Sequence, residues 1–360
     1  MIDPHIHCRD WAQSYKETIA HALSVAERTG LSGIFDMPNT SPPINSRELI
    51  EKRLSDAYKI NSPVFYGLYA GLTSDPDQIK EVVKAWRELF PKVVGLKMFA
   101  GHSVGNLGII KEDEQRLVYQ TLSNESYDGV LAVHCEKESL LKPSLWNPLS
   151  LKSHSYARPN KSEVESVMDQ INFATESQFK GILHIAHVSV PESVGLVDRI
   201  RQENNISISC GLTPHHCLLS YELVPESKDE LIYKVNPPLR DDASRRGMLD
   251  LLKQGKIDWI ETDHAPHTLK EKLEEPFMSG FPGLPFYPLF LDFLRVSGFS
   301  EEQVRNLTHK NICNAFSINL PERDINPNRE LYNEYEVDVS RTTGHGPSGT
   351  LLNAIVRSGS

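Results

Sequence analysis

Short apolar runs rich in β-branched residues alternate along the chain with longer amphipathic stretches. The runs Met1–His7, Gly33–Met37, Val64–Tyr69, Val93–Met98, Val130–His134, Ile182–His187, Ile206–Leu212 and Ile257–Thr262 predict eight strands. Between them, Tyr15–Thr29, Ser46–Tyr58, Pro76–Phe90, Lys111–Leu122, Glu163–Glu176, Pro191–Glu203 and Arg245–Lys253 have helical periodicity. Strands alternating with helices define an α/β protein with a parallel sheet. Eight such units is the count of a closed (β/α)8 TIM-type barrel, although periodicity alone does not separate a closed sheet from an open one. The barrel is expected over residues 1–320. From Pro321 the chain turns polar and rich in Pro and Asn, a linker into a C-terminal tail, 321–360.

Composition narrows the function. The 360 residues are 39% hydrophobic and 24% charged, with a net charge of −10. This is a globular composition without the clustered cations that nucleic acid or an anionic membrane surface would need. No apolar run is long enough to span a membrane, and the start MIDPHIHCRD lacks the pattern of a secretory signal. Five scattered cysteines form no disulfide framework, so a cytoplasmic location is expected. Histidine is the unusual entry, with 14 residues, several of them clustered.

The expected strands end in chemistry-bearing side chains rather than turn residues. The first ends in His5-Ile6-His7, the fourth near Lys97, the fifth in His134 and the sixth in His187, while Asp263 follows the eighth. In a parallel barrel these ends share the face whose loops build active sites. Residues two apart on a strand point the same way, so His5 and His7 can grip one ion. Each residue also has an ordinary reading: a chance surface pair, a snorkelling lysine, a satisfied core histidine, a helix N-cap. All of them occurring together at corresponding strand ends favours a metal site.

Imidazoles and carboxylates suit Zn²⁺. Two divalent ions ~3.5–4 Å apart can lower the pKa of a shared water toward ~7. Lys97 cannot ligate as an ammonium. If CO₂ adds to its neutral amine, the carbamate offers two oxygens that bridge both ions. Asp263 can then carry a proton to a leaving nitrogen.

These residues resemble the amidohydrolase superfamily and, within it, dihydroorotase. The matching stretches are Asp3-Pro4-His5-Ile6-His7-Cys8-Arg9, Met37-Pro38-Asn39-Thr40, Gly95-Leu96-Lys97-Met98-Phe99, Val133-His134-Cys135-Glu136 and His187-Val188-Ser189. Further along come Thr213-Pro214-His215-His216, Lys234-Val235-Asn236-Pro237-Pro238-Leu239-Arg240 and Thr262-Asp263-His264-Ala265-Pro266-His267, then a closing helix at Asn311 to Phe316.

The resemblance implies two zinc ions per subunit, one held by His5, His7 and Asp263 and one by His134 and His187, with carbamylated Lys97 bridging them. It makes Asp263 the general acid/base. Arg9, Asn39 and His267 would bind a substrate carboxylate, Asn236 would contact the pyrimidine ring, and the backbone near Gly280 would touch the substrate. The implied reaction is reversible cyclisation of N-carbamoyl-L-aspartate to L-dihydroorotate in de novo pyrimidine biosynthesis. Arg9 offers a planar fork for a carboxylate, which weighs against an allantoinase or hydantoinase. A non-catalytic scaffold that binds a carbamoyltransferase would be expected to lack ligands, and none of the six is missing here. A homo-oligomer or association with a carbamoyltransferase remains an expectation.

Four further features lie outside that set. His215 and His216 are expected to be structural, His184 to pack against a helix or be hydrogen-bonded in the core, and Cys8 and Cys135 to be small core residues. Gly101–Gly108 has the glycine content of a loop that closes over substrate. Family members usually begin with some tens of residues that fold with the tail into a β-sandwich. Here His5 stands near the start and only Gly344–Gly349 hints at one, so that subdomain is expected to be reduced or absent.

Overall fold

The computed structural model describes residues 1–102, 107–203, 205–224, 228–323, 330–331 and 334–335. Eight strands pair in parallel in chain order: β1 (Ile2–Ile6), β2 (Gly33–Asp36), β3 (Phe65–Gly71), β4 (Val93–Ala100), β5 (Val130–Cys135), β6 (Ile182–Ile185), β7 (Ser207–Leu212) and β8 (Trp259–Ile260). A parallel bridge between Ile6 and His264, with the His7 amide donating to the His264 carbonyl at 2.7 Å, joins the last strand region to the first. The sheet is thereby a nearly closed (β/α)8 barrel.

Helices α1 (Ile19–Thr29), α2 (Arg47–Tyr58), α3 (Pro76–Leu89) and α4 (Glu112–Asn124) follow the first four strands. α5 (Leu151–Ala157) and α6 (Asn160–Glu176) follow β5, and α7 (Pro191–Glu203) follows β6. α8 (Pro214–Leu218) and α9 (Asp242–Lys253) separate β7 from β8, and α10 (Leu269–Leu273) and α11 (Tyr287–Val296) come after β8. α1 begins four residues later than its pattern predicts. The Thr18 hydroxyl caps it by accepting from the His21 amide at 3.1 Å, and Gly30 ends it at φ 85°.

Alternation along the strands sorts the core into two layers. Ile2, Phe35, Tyr69, Val94, Val130 and Trp259 fill the barrel interior, closed from below by Ile312 and Phe316. The outward set, with Ile34, Leu68, Leu96, Leu131, Leu183 and Ile208, packs under the helices. The lower interior is therefore a packed plug rather than a pore.

Most strand limits shift by one or two residues from the pattern, and three differences bear on the site. β4 continues through Phe99 and Ala100, so Lys97 lies within the strand, paired with Ala132, and not at its end. β6 stops at Ile185, and His187 follows in a turn at φ 40°. β8 keeps two residues of the expected six; beyond it the Thr262 amide donates to the Asp3 carboxylate at 3.1 Å rather than to a neighbouring strand. The centre of the Gly101–Gly108 loop and most of the 321–360 tail, including Gly344–Gly349, lie outside the described residues. Among the described residues no helix is long and apolar enough to cross a membrane.

Candidate active site

The six side chains expected to hold metal meet at the upper mouth. His5 Nε2 and His7 Nε2 lie 3.5 and 3.0 Å from Asp263 Oδ1, and these three residues offer ligand atoms all within 4.8 Å of one another. His134 Nδ1 faces His187 Nε2 at 3.3 Å, and the ring centroids of His5 and His187 are 5.0 Å apart. Lys97, fully buried two residues before His134 in the paired register, ends in an Nζ with no hydrogen-bond partner. An orphaned amine beside two groups of imidazole nitrogens fits divalent ions better than it fits a polar core, since a buried donor is otherwise satisfied.

Neighbouring acceptors set the imidazole tautomers. Asn39 Oδ1 is 2.8 Å from His7 Nδ1, so Nδ1–H donates and the Nε2 lone pair faces Asp263. Glu136 Oε2, locked by Arg158, is 2.9 Å from His134 Nε2, which leaves Nδ1 as the lone pair toward His187. Burial, reinforced by Lys97, lowers His5 to about 4. Burial also holds His7 and His187 well below the ordinary histidine range, with Arg9 adding to the effect on His7 and His134 adding to that on His187. Neutral imidazoles are the ligand form. Burial brings Lys97 down to about 8 although Glu261 and Asp263 oppose it, and the neutral amine is the form that reacts with CO₂. Asp263 is pushed up by burial, partly offset by His5 and Lys97.

A cavity of about 100 Å³ opens directly above. Its lining includes His5, His7, His134, His187 and Asp263, and also Arg9, Asn39, Asn236, His267 and Gly280. Arg9 Nε donates to the Pro266 carbonyl at 3.2 Å and Nη2 approaches His267 Nε2 at 3.0 Å, so strands one and eight contribute one cationic corner. Asn236 Oδ1 is held by His154 Nε2 at 2.8 Å. At Gly280, φ is 120° and a Cβ would come within 2.7 Å of Ala265, so the backbone itself forms that wall. Arg9, His187 and Asp263 all have positive φ, an unfavourable conformation for residues with side chains and one that clusters where surrounding structure enforces function.

His215 and His216 are buried in α8 and do not line the cavity; His216 bonds Thr213 and the Pro237 carbonyl. His184 takes the second of its two expected places, hydrogen-bonded in the core rather than packed against a helix. It points into the barrel, stacks on Trp259 at 4.2 Å and bonds Ser209 and Glu261. Cys8 and Cys135 are buried and free.

Sequence reading missed Glu261, Glu136, His154 and Lys16. Glu261 is the chief omission. Its buried carboxylate accepts from the His187 amide, His184 Nε2 and Trp259 Nε1, and stands 3.7 Å from His5 Nδ1. The available signal was an acid inside the expected apolar run Ile257–Thr262, which must find buried partners.

A parallel barrel whose strand ends gather histidines, a carboxylate and a buried lysine over a small polar cavity defines a hydrolase of the amidohydrolase type. Comparison with known proteins carries this further. The dihydroorotase of Methanosarcina mazei is 30% identical over 331 residues, covering 89% of this chain and 70% of that protein. The dihydroorotase of Methanosphaera stadtmanae is 30% identical over 354 residues, covering 94% and 74%. Among solved structures, the L-hydantoinase of Arthrobacter aurescens superposes with a TM-score of 0.76 at 21% identity, over 88% of this chain and 70% of that one. The dihydroorotase of Saccharomyces cerevisiae in complex with 5-fluoroorotic acid superposes with a TM-score of 0.69 at 15% identity, over 88% and 84%. No protein-family model matches the chain. The chain belongs to the dihydroorotase family, enzymes of the metal-dependent cyclic amide hydrolase class.

Proposed function

We propose that this protein is a zinc-dependent dihydroorotase that interconverts N-carbamoyl-L-aspartate and L-dihydroorotate in de novo pyrimidine synthesis. The observation that carries this reading is the shared cavity: Arg9, Asn39 and His267 line the same small space as His5, His7 and Asp263. A cyclic amide bearing a carboxylate therefore has its charge and its scissile bond addressed together.

His5, His7 and Asp263 would hold one zinc, His134 and His187 the other, and Lys97, as its carbamate, would bridge them. Bound there, the ions supply Lewis acidity, lowering the pKa of a water and polarising an amide carbonyl. The rest is done by the chain. Arg9 and His267 fix the substrate carboxylate and Asn236 the ring edge, holding the scissile amide against the imidazoles. Asp263 Oδ1 faces both imidazoles of the first pair, and Oδ2 is the atom that takes the proton from water and returns it to the leaving ring nitrogen. Burial suits Asp263 to this exchange by weakening its hold on the charged state. Cyclisation runs the same transfers backward. Expected contacts with a carbamoyltransferase or a second copy, and a cytoplasmic setting, complete the proposal.

The test is side-by-side turnover of L-dihydroorotate, hydantoin and allantoin by the zinc-loaded chain. Preference for dihydroorotate is expected. Preference for hydantoin or allantoin would assign the cavity to a carboxylate-free substrate, and no turnover in a chain with well below one zinc per subunit would make it a scaffold.

A further inference from the structure

His267 faces two hydrogen-bond donors. Arg9 Nη2 lies 3.0 Å from its Nε2, and Lys16 Nζ lies 3.2 Å from its Nδ1. A neutral imidazole has one N–H and one lone pair, so it cannot accept from both. Glu271 lies 2.8 Å from Lys16 Nζ but 3.7 Å from His267 Nδ1, beyond hydrogen-bond reach. Lys16 is therefore the closer partner of Nδ1. Its side chain is 4% exposed, and its head is tethered by a carboxylate that is itself fixed by the capping box of α10, where Glu271 Oε2 accepts from the Thr268 amide at 3.1 Å.

If Nδ1 accepts from Lys16, the ring proton sits on Nε2 and faces the Arg9 guanidinium with no acceptor between them. The cavity wall is then short of one acceptor at the point where Arg9 and His267 meet. We propose that Lys16 is a positioning residue that locks His267 in the Nε2–H tautomer, so that Arg9 and His267 turn their donors on one anionic group, the substrate carboxylate. This rests on the reading of the cavity as a site for a carboxylate-bearing cyclic amide, and it adds a reason for selectivity. A neutral ring leaves the two donors confronting each other, so Lys16 disfavours carboxylate-free substrates as well as favouring acidic ones.

The experiment uses the zinc-loaded full chain with Lys16→Met and Lys16→Arg. In Lys16→Met, His267 is expected to move its proton to Nδ1, donate to Glu271 and accept from Arg9, closing the clamp on itself. KM for L-dihydroorotate should rise on the order of tenfold while kcat holds within about threefold, the pattern of lost ground-state binding. KM for 5,6-dihydrouracil, which has no carboxylate, should not rise in parallel, and Lys16→Arg should restore the wild-type ratio. Nitrogen-15 histidine NMR, with His267→Gln for assignment, should show the Nε2–H tautomer in wild type and Nδ1–H in Lys16→Met. An Nδ1–H tautomer in wild type, or parallel losses on both substrates, would overturn the role of Lys16. A wild-type enzyme that prefers dihydrouracil would instead overturn the carboxylate reading, and the tautomer measurement would still decide what Lys16 does.

Discussion

The Glu261 carboxylate occupies the space that a side chain at Gly211 would need: a Cβ built there would stand 2.5 Å from its Cδ and 2.6 Å from either oxygen. Glycine at this point of β7 lets the acid reach His184, the His187 amide and the edge of His5 at once. Gly211→Ala should push Glu261 off these partners. Zinc affinity, read by chelator competition, is expected to fall about 10–100-fold, as for other groups that orient metal ligands. Unchanged affinity would show that Glu261 does not set the ligand geometry.

Arg9 and Asp263 should separate binding from chemistry. Arg9→Met removes a charge-assisted contact of about 1.5–3 kcal/mol, so kcat/KM for L-dihydroorotate should drop roughly 10–150-fold, mainly through KM. Asp263→Asn should lower kcat by about 10²–10⁴-fold. Equal effects on KM and kcat in both variants would merge the two roles assigned here.

The base of the Arg9 loop is held from behind by a buried ion pair. Arg53 Nη2 donates to Asp36 Oδ2 at 2.7 Å, while Asp36 Oδ1 accepts from the Cys8 amide at 2.8 Å. Arg53→Met leaves that buried carboxylate without its cation, which should cost about 3–5 kcal/mol in urea unfolding. A loss below about 1 kcal/mol would mean that Asp36 is satisfied by Tyr66 and Cys8 alone.

A second ion pair gives a pH signature away from the cavity. The Glu17 hydrogen bond, at 2.7 Å, raises the pKa of His21 against partial burial. A raised folded-state pKa contributes stability that is complete below about 6.5, the unfolded value, and is lost as pH rises through the folded value. The difference in Tm between wild type and His21→Gln should therefore be largest near pH 6 and shrink on the alkaline side. A difference that grew with pH would contradict the pairing. His21 also reaches Glu334 at 3.1 Å, so the effect includes docking of that segment.

The barrel was legible in the sequence because the count of apolar runs does not depend on where each run ends. Strand ends were less legible. His187 reads as strand by its apolar neighbours, yet the chain turns at Ile185 because the His187 amide is taken by Glu261 rather than by a ladder. Lys97 reads as a strand end because a charge punctuates an apolar run, whereas three further residues stay in the sheet. The residues that aim others were harder still. His154 and Lys16 act through contacts 82 and 251 positions away, which no local pattern encodes, while Glu261 left only the trace of an acid in an apolar run.

The most direct test of the account is a crystal structure of the zinc-loaded protein soaked with L-dihydroorotate, recorded at the zinc absorption edge. Two anomalous peaks are expected among His5, His7, Asp263, His134 and His187, with carbamate density on Lys97 Nζ and the ligand carboxylate between Arg9 and His267. Absence of metal peaks among those side chains, or a ligand carboxylate bound away from Arg9, would contradict it.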